Sequence, residues 1–267
     1  MTQLQLSSEP VPFPVPNFRL DGKVAIITGA SRGIGEAIAQ AMAHSGACTV
    51  LASRDQARLE AVAAKIGSIS ASAHVVKADI CKADDVARLV AETVERFGRI
   101  DVLVNNAGVC YMEPALEVTP EAWDKTFDLN VRALFFLSQA VARQMVAQER
   151  GGKIINVASQ LAVVGMARHS SYCASKAAVH LLTQVLALEW GKYHIHVNAI
   201  GPTFIRTEMA APNLDNPTVR ADILSKMPIG HVGDPVDVAG AAVFLASAAS
   251  EMVTGELLLV DGGWTAQ

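Results

Sequence analysis

Tyr172 and Lys176 stand four positions apart in a helix-patterned stretch, SSYCASKAAVHLLTQVLALEWGK, so a helix would place them on one face. An unperturbed phenol titrates near about pH 10, too high for proton exchange at neutrality unless its anion is stabilised. An ammonium one turn away is a group that can lower it. Ser159 follows an apolar run and can hydrogen-bond a substrate oxygen, fixing its distance from the phenol. No GxSxG elbow surrounds it, so it orients rather than attacks, and a Ser–His–Asp hydrolase is set aside. A Tyr–Lys pair at this spacing also arises by chance on helix surfaces, so its meaning depends on its surroundings.

Those surroundings begin with Thr28-Gly29-Ala30-Ser31-Arg32-Gly33-Ile34-Gly35, which follows an apolar run and opens a helical pattern. Three glycines between a strand and a helix allow close backbone approach to a pyrophosphate at the helix N-terminus. A tight turn would also use glycines, but the strand before and helix after favour dinucleotide binding. An NAD site usually carries an acid at the end of the second strand, where it accepts from the ribose hydroxyls. Here that place reads Ser53-Arg54. Arg54, with Arg32 in the loop, would attract the additional phosphate of NADP(H), while Asp55 one residue on keeps NAD(H) open as a second cofactor. The bland alternative is a pair of solvated arginines.

The elements that must hold these residues follow from the alternation of short apolar runs and longer amphipathic stretches. Strands are expected at 24–28, 48–53, 73–78, 100–104, 153–158, 195–200 and 256–260. Helical patterns fill the gaps, including one long stretch over 121–148. Gly46, Gly67 and Gly98 follow helices, where a left-handed residue is expected. This predicts an α/β fold with a doubly wound, Rossmann-type seven-stranded parallel sheet, order 3-2-1-4-5-6-7, and helices on both faces. Its ligand crevice would lie at the carboxyl ends of the strands. Residues 1–20 carry Pro10, Pro12, Pro14 and Pro16 and read as an extended arm outside the core, ahead of a single domain over 21–267. The stretch after the sixth strand is too long for a plain connection and reads as a substrate lid at about 207–230.

Asn105-Asn106-Ala107-Gly108 after the fourth strand, Asn130, Ser159, Tyr172-Cys173-Ala174-Ser175-Lys176 and Val260-Asp261-Gly262-Gly263 occur in order with the glycine loop. Together they resemble the short-chain dehydrogenase/reductase family, from about Asp21 to Trp264. The resemblance implies hydride transfer between a nicotinamide and an alcohol or ketone carbon, with Tyr172 moving the proton and Ser159 orienting the oxygen, while the Lys176 ammonium and the oxidised nicotinamide together can lower the phenol. It also implies that Asn130 holds a water linking Lys176 to solvent. Cofactor contacts are implied for Gly29, Ser31, Arg32, Gly33, Ile34, Gly35, Ser53 and Arg54, for Asp79 and Ile80 beside the adenine, and for Asn106, Ala107 and Gly108 on the nearer ribose. Pro202, Thr203, Ile205 and Thr207 would lie toward the nicotinamide, with Tyr172 and Lys176. Thr203 stands where the family usually has glycine.

A polyol, sugar or sugar acid is the expected substrate class, on the resemblance of NAIGPTFIRTEM to polyol- and sugar-active members. A 3-oxoacyl-thioester reductase is the alternative, with Arg132 and Arg143 as candidate carrier contacts, and a non-catalytic dinucleotide sensor is the alternative of another class. Gln160, His169, Phe204 and Met209 are positional candidates for substrate contact, though His169 reads equally as a surface loop residue and the apolar positions as packing. Apolar stripes on the helix over 120–148 and on the next long helix read in part as sheet-facing core. In the resembling family these helices pair between subunits, implying a homotetramer.

Composition narrows the remainder. The 267 residues are 51% hydrophobic and 18% charged, with formal net charge −4, which supplies no basic stripe for a nucleic acid. Cys48, Cys81, Cys110 and Cys173 form no CxxC pair and read as reduced thiols. No signal peptide or membrane-spanning run is apparent, so a cytoplasmic enzyme without a membrane partner is expected. His194 and His196 alternate but have no third ligand at suitable spacing, so no metal is expected and helix-end or hydrogen-bonded histidines are the better reading.

Overall fold

Seven apolar runs form seven strands, all parallel, in the order β3-β2-β1-β4-β5-β6-β7. The computed structural model describes residues 15–68 and 72–266. The strands are β1 (Val24–Thr28), β2 (Cys48–Ser53), β3 (Ala73–Lys77), β4 (Val102–Asn105), β5 (Gly152–Val157), β6 (Ile195–Pro202) and β7 (Leu257–Val260). Every residue of β1 and β4 is buried, as befits central strands covered on both faces.

Three helices on one face, α1 (Gly33–His44), α2 (Gln56–Gly67) and α9 (Pro235–Ala246), share a core with Ala25, Ile27, Val104 and Ile155. On the other face, α3 (Ala83–Phe97), α5 (Leu134–Ala147) and α6 (Ser170–Trp190) pack against Ile26, Leu103, Ile154 and Val197. The helix expected over 121–148 is instead α4 (Pro120–Phe127), a π-helical turn (Asp128–Ala133) and α5. The wider turn falls at Asn130, where hydrogen bonds to Val109 outweigh regular helix geometry.

Gly98 closes α3 in the left-handed region, and Gly46, two residues past the end of α1, is left-handed at φ 105°. Gly67 corrects the expectation. It is the last residue of α2 without positive φ, and Ser68 closes the helix in right-handed geometry through bonds to Ala64 and Ile66 carbonyls. Of the expected arm, residues 1–14 lie outside the described residues. Its last residue belongs to the core instead: Leu20 is buried and donates its N–H to the Ser45 carbonyl at 2.8 Å.

The segment after β6 holds two short helices, α7 (Ala211–Leu214) and α8 (Pro217–Ser225). Ile223, Met227 and Val232 give it a small core of its own, against which Phe204 and Trp264 pack. Among the described residues no helix is long and apolar enough to cross a membrane.

Candidate active site

The strand order reverses between β1 and β4, so their carboxyl ends diverge into a crevice. Thr28 and Asn106 lock its base. The Thr28 hydroxyl accepts the Asn106 and Ala107 N–H groups at 3.0 and 3.1 Å, and Asn106 Nδ2 donates to the Thr28 and Gly29 carbonyls at 2.9 and 3.2 Å. A Cβ on Gly35 would fall 2.4 Å from both Asn106 Nδ2 and the Gly29 oxygen, so this approach admits only glycine. Gly29 and Gly33 take φ of 63° and 58°, the left-handed region that suits glycine.

The next element, α1, starts from Arg32 with no side-chain cap, which leaves its first N–H groups for an anion. At the other end of the crevice the buried Gln160 Oε1 and Thr203 Oγ1 have no hydrogen-bond partner in the protein. A glycine cradle, an uncapped helix start and orphaned polar atoms together fit a dinucleotide.

Three elements bring the expected proton-transfer residues together. Lys176 on α6 is buried and donates to the Val157 carbonyl at 2.7 Å, and its Nζ lies 5.6 Å from the centre of the Tyr172 ring. Ser159 follows β5 in extended backbone, accepts the Leu161 N–H at 3.1 Å and forms a hydrogen bond with the Tyr172 phenol. Asn130 exchanges two bonds of 2.9 Å with the Val109 backbone and donates to Ser175 Oγ at 3.1 Å. Ser175 in turn donates to the Tyr172 carbonyl at 2.8 Å. A Cβ on Gly108 would lie 3.1 Å from Asn130 Oδ1 and 3.6 Å from Lys176 Nζ, so both groups flank one small gap.

Burial holds the Tyr172 phenol well above its ordinary value, the nearby Cys110 thiol adds to the rise, and the Ser159 hydrogen bond only opposes it. Burial also pulls the Lys176 ammonium down to about 8. Within the chain's own residues, desolvation therefore outweighs any lowering of the phenol by Lys176. Cys110, which nothing in the sequence pointed to as a neighbour of this pair, is itself pushed up to about 11 by burial. All four cysteines are free thiols.

At the adenosine end a third arginine joins the two that the sequence pointed to. Arg32 and Arg58 both bind Glu208, at the start of the segment after β6, and Arg54 is exposed. Asp55 caps α2 by accepting the Arg58 N–H at 3.1 Å, so its carboxylate is already engaged. Neither Arg58 nor Glu208 was legible as a site residue, because their meeting joins positions 150 apart in the chain. Ser53 Oγ accepts the Asp55 N–H at 3.2 Å. Asp79 and the buried Ile80 follow β3 at the same end of the sheet, where the Asp79 N–H donates to Asp85 at 2.8 Å.

Of the substrate candidates, His169 is not the surface residue it could have been. It is buried at the start of α6, with its ring 6.4 Å from that of Tyr172 and its Nδ1 2.8 Å from the Ala167 carbonyl. Gln160 is buried beside Ser159, whereas Met209 is exposed. Phe204 packs on Trp264, with centroids 5.8 Å apart, and so serves the small core of the outer segment. Ile205 is buried and bridges to Gly233, and the Thr203 N–H, at the position where glycine was expected, donates to the Val260 carbonyl at 3.2 Å. His194 closes a short helical turn and His196 Nε2 lies 2.9 Å from the Glu251 carbonyl, two structural histidines.

Comparison with known proteins agrees with this geometry. A family model described as enoyl-(acyl carrier protein) reductase matches residues 29–265. The chain is 42% identical over 249 residues to an NAD-dependent glycerol dehydrogenase of Listeria innocua, covering 93% of this chain and 96% of the relative. A short-chain type dehydrogenase/reductase of Mycobacterium marinum superposes with TM-score 0.90 at 38% identity, covering 94% of this chain and 98% of the other. A gluconate 5-dehydrogenase of Burkholderia cenocepacia, solved with NADP and tartrate, superposes at 0.91 with 35% identity over 94% and 98% of the two chains. Sequence order, sheet topology and kinship converge, and the chain belongs to the short-chain dehydrogenase/reductase family, as an NAD(P)-dependent oxidoreductase of secondary alcohols and ketones.

Proposed function

We propose that the enzyme prefers NADP(H) and interconverts a small polyol, sugar or sugar acid with its ketone. The observation that carries the cofactor preference is the pair Arg32 and Arg58, two guanidiniums converging on one anion at the adenosine end. Asp55, the acid nearest the place an NAD site would use, spends part of its carboxylate capping α2, which also weighs toward NADP(H). Support for the substrate class comes from the kinship to glycerol and gluconate dehydrogenases. A thioester substrate has less support: Arg143 lines a groove with Leu186 and Trp190, at the far end of α6 from Tyr172.

In the mechanism we infer, Ser159 hydrogen-bonds the substrate oxygen and holds it beside the phenol. Tyr172, kept neutral by burial, donates its proton to the alkoxide that forms when a ketone is reduced. The glycine loop and Asn106 would hold the dinucleotide, which would supply or accept the hydride and, when oxidised, contribute a positive charge to the site. Lys176, fixed by Val157, supports the phenolate in the oxidative direction. Asn130 and Lys176 flank the gap at Gly108, where a water would connect them and return protons to Tyr172. The segment over 207–230 is the substrate lid.

We assign the enzyme to the cytoplasm and to a homotetramer, in which α5 and α6 pair with a second copy. Phe136, Leu181, Val185 and Leu188 expose their side chains on these helices, Leu188 at 85%. Light scattering should give four chains per particle, and a monomer would refute the assembly. A panel of polyols and sugar acids with NADP⁺ and NAD⁺ tests the rest. Higher kcat/KM with NADP⁺ on such substrates is expected, and a clear NAD⁺ preference would overturn the cofactor assignment.

A further inference from the structure

Glu208 lies outside the proton-transfer cluster, yet its carboxylate ties two parts of the cofactor site together. One oxygen meets the Arg32 guanidinium in the glycine loop. Arg58, in the first turn of α2, reaches both oxygens at 3.1 and 3.3 Å. A carboxylate held by two guanidiniums offers them the same charge sign and acceptor geometry as a phosphate. These side chains cannot give their full set of bonds to Glu208 and to a phosphate at once.

The neighbouring residues fix where this contact acts. Arg206 is anchored to Asp234 by bonds of 2.7 and 2.9 Å. Thr207 lies against the glycine loop, with its Cγ2 only 3.2 Å from where a Cβ on Gly33 would be. The root of the outer segment is thus anchored at Asp234 and pinned again across the crevice. The arginines, chiefly Arg58, hold the Glu208 carboxyl below the usual carboxylate range, so it stays anionic.

We propose that Glu208 is a built-in competitor for the 2′-phosphate of a phosphorylated dinucleotide: its carboxylate occupies Arg32 and Arg58 until that phosphate displaces it and frees the root of the segment over 207–230. The inference rests on the NADP(H) preference argued above. The contacts are exposed, so each is weak and readily exchanged. A phosphate monoester carries close to two negative charges against the carboxylate's one, which favours the exchange. NAD has no such group and leaves the latch in place.

Isothermal titration with 2′,5′-ADP and 5′-AMP, neither of which reaches the proton-transfer residues, tests this in the wild-type enzyme and in Glu208→Gln. The variant should bind 2′,5′-ADP about three- to tenfold more tightly and 5′-AMP within about twofold of the wild type. If the wild type favours 2′,5′-ADP but the variant leaves the ratio of the two affinities unchanged or lower, the competitor role is wrong while the cofactor preference stands. If the wild type does not favour 2′,5′-ADP at all, both fall. In hydrogen exchange, 2′,5′-ADP should speed exchange of amides over 209–214 where 5′-AMP does not. Equal exchange with the two nucleotides would overturn the release of the segment.

Discussion

Lys176 donates to the carbonyl of Val157 across 2.7 Å, binding the helix that carries Tyr172 to the strand that delivers Ser159 two residues later. The bond sets the distance between the proton-transfer residue and the orienting one. It also occupies part of the ammonium, so Lys176 acts as much by position as by charge.

Tyr172→Phe keeps the ring and loses the acidic proton. We expect turnover to fall about a hundred- to ten-thousand-fold, with dinucleotide affinity retained. Single-turnover rates and fluorescence titration with NADPH check both halves. Near-normal rates would refute the assignment of Tyr172.

Burial raises the Tyr172 phenol, so the acid form prevails at neutral pH and the base form grows only as pH rises. Ketone reduction uses the acid form and alcohol oxidation the base form. The kcat for oxidation should therefore climb through the alkaline range while that for reduction declines. Lys176, pulled to about 8, loses its ammonium in that same range and should blunt the climb at its upper end. Profiles in both directions check this, and an oxidation rate independent of pH between about 6 and 9 would sink it.

Two glycines should respond in opposite directions. Gly35→Ala drives a methyl to 2.4 Å from the Gly29 oxygen, and a loss of about 1–3 kcal/mol in stability is expected, together with loss of dinucleotide binding. Gly67→Ala meets nothing within 4 Å at the last position of α2, where φ is not positive. It should raise stability by about 0.4–1 kcal/mol, chiefly by reducing the backbone entropy of the unfolded chain. Denaturant titration of both variants measures the contrast.

These two glycines also mark how much could be read from sequence. The doubly wound sheet was legible because each strand is a short apolar run and each helix restores the 3.6-residue period, patterns local to the chain. Gly35 was legible because its neighbours on both sides announce a strand and a helix. Gly67 misled because a glycine after a helical run marks the end only if that end needs a left-handed residue, which Ser68 made unnecessary. Arg58, Glu208 and Cys110 were invisible, since what gives them meaning is a partner brought near by folding. The burial that raises the Tyr172 phenol in the chain by itself was not legible for a related reason: spacing shows that Lys176 is close, but not how much water both groups lose.

Asn156 offers a test of the scaffold rather than the chemistry. It stands opposite Asn105 in the β4–β5 register, accepts from Asn105 Nδ2 at 2.9 Å and donates to Thr183 Oγ1 at 2.9 Å. Asn105 also donates to Ser138 at 2.8 Å, so one buried chain of amides and hydroxyls joins two strands to α5 and α6. Asn156→Ala leaves Asn105 with one partner fewer inside the protein, and an unmet buried polar group costs about 1–3 kcal/mol. For a chain of this size that corresponds to a Tm lower by about 2–4 °C per kcal/mol. Because Asn105 directly precedes Asn106 at the base of the crevice, we expect KM for the dinucleotide to rise as well, with kcat less affected. An unchanged Tm would show that water takes over the lost bonds, and the amide chain would then not be what fixes the crevice.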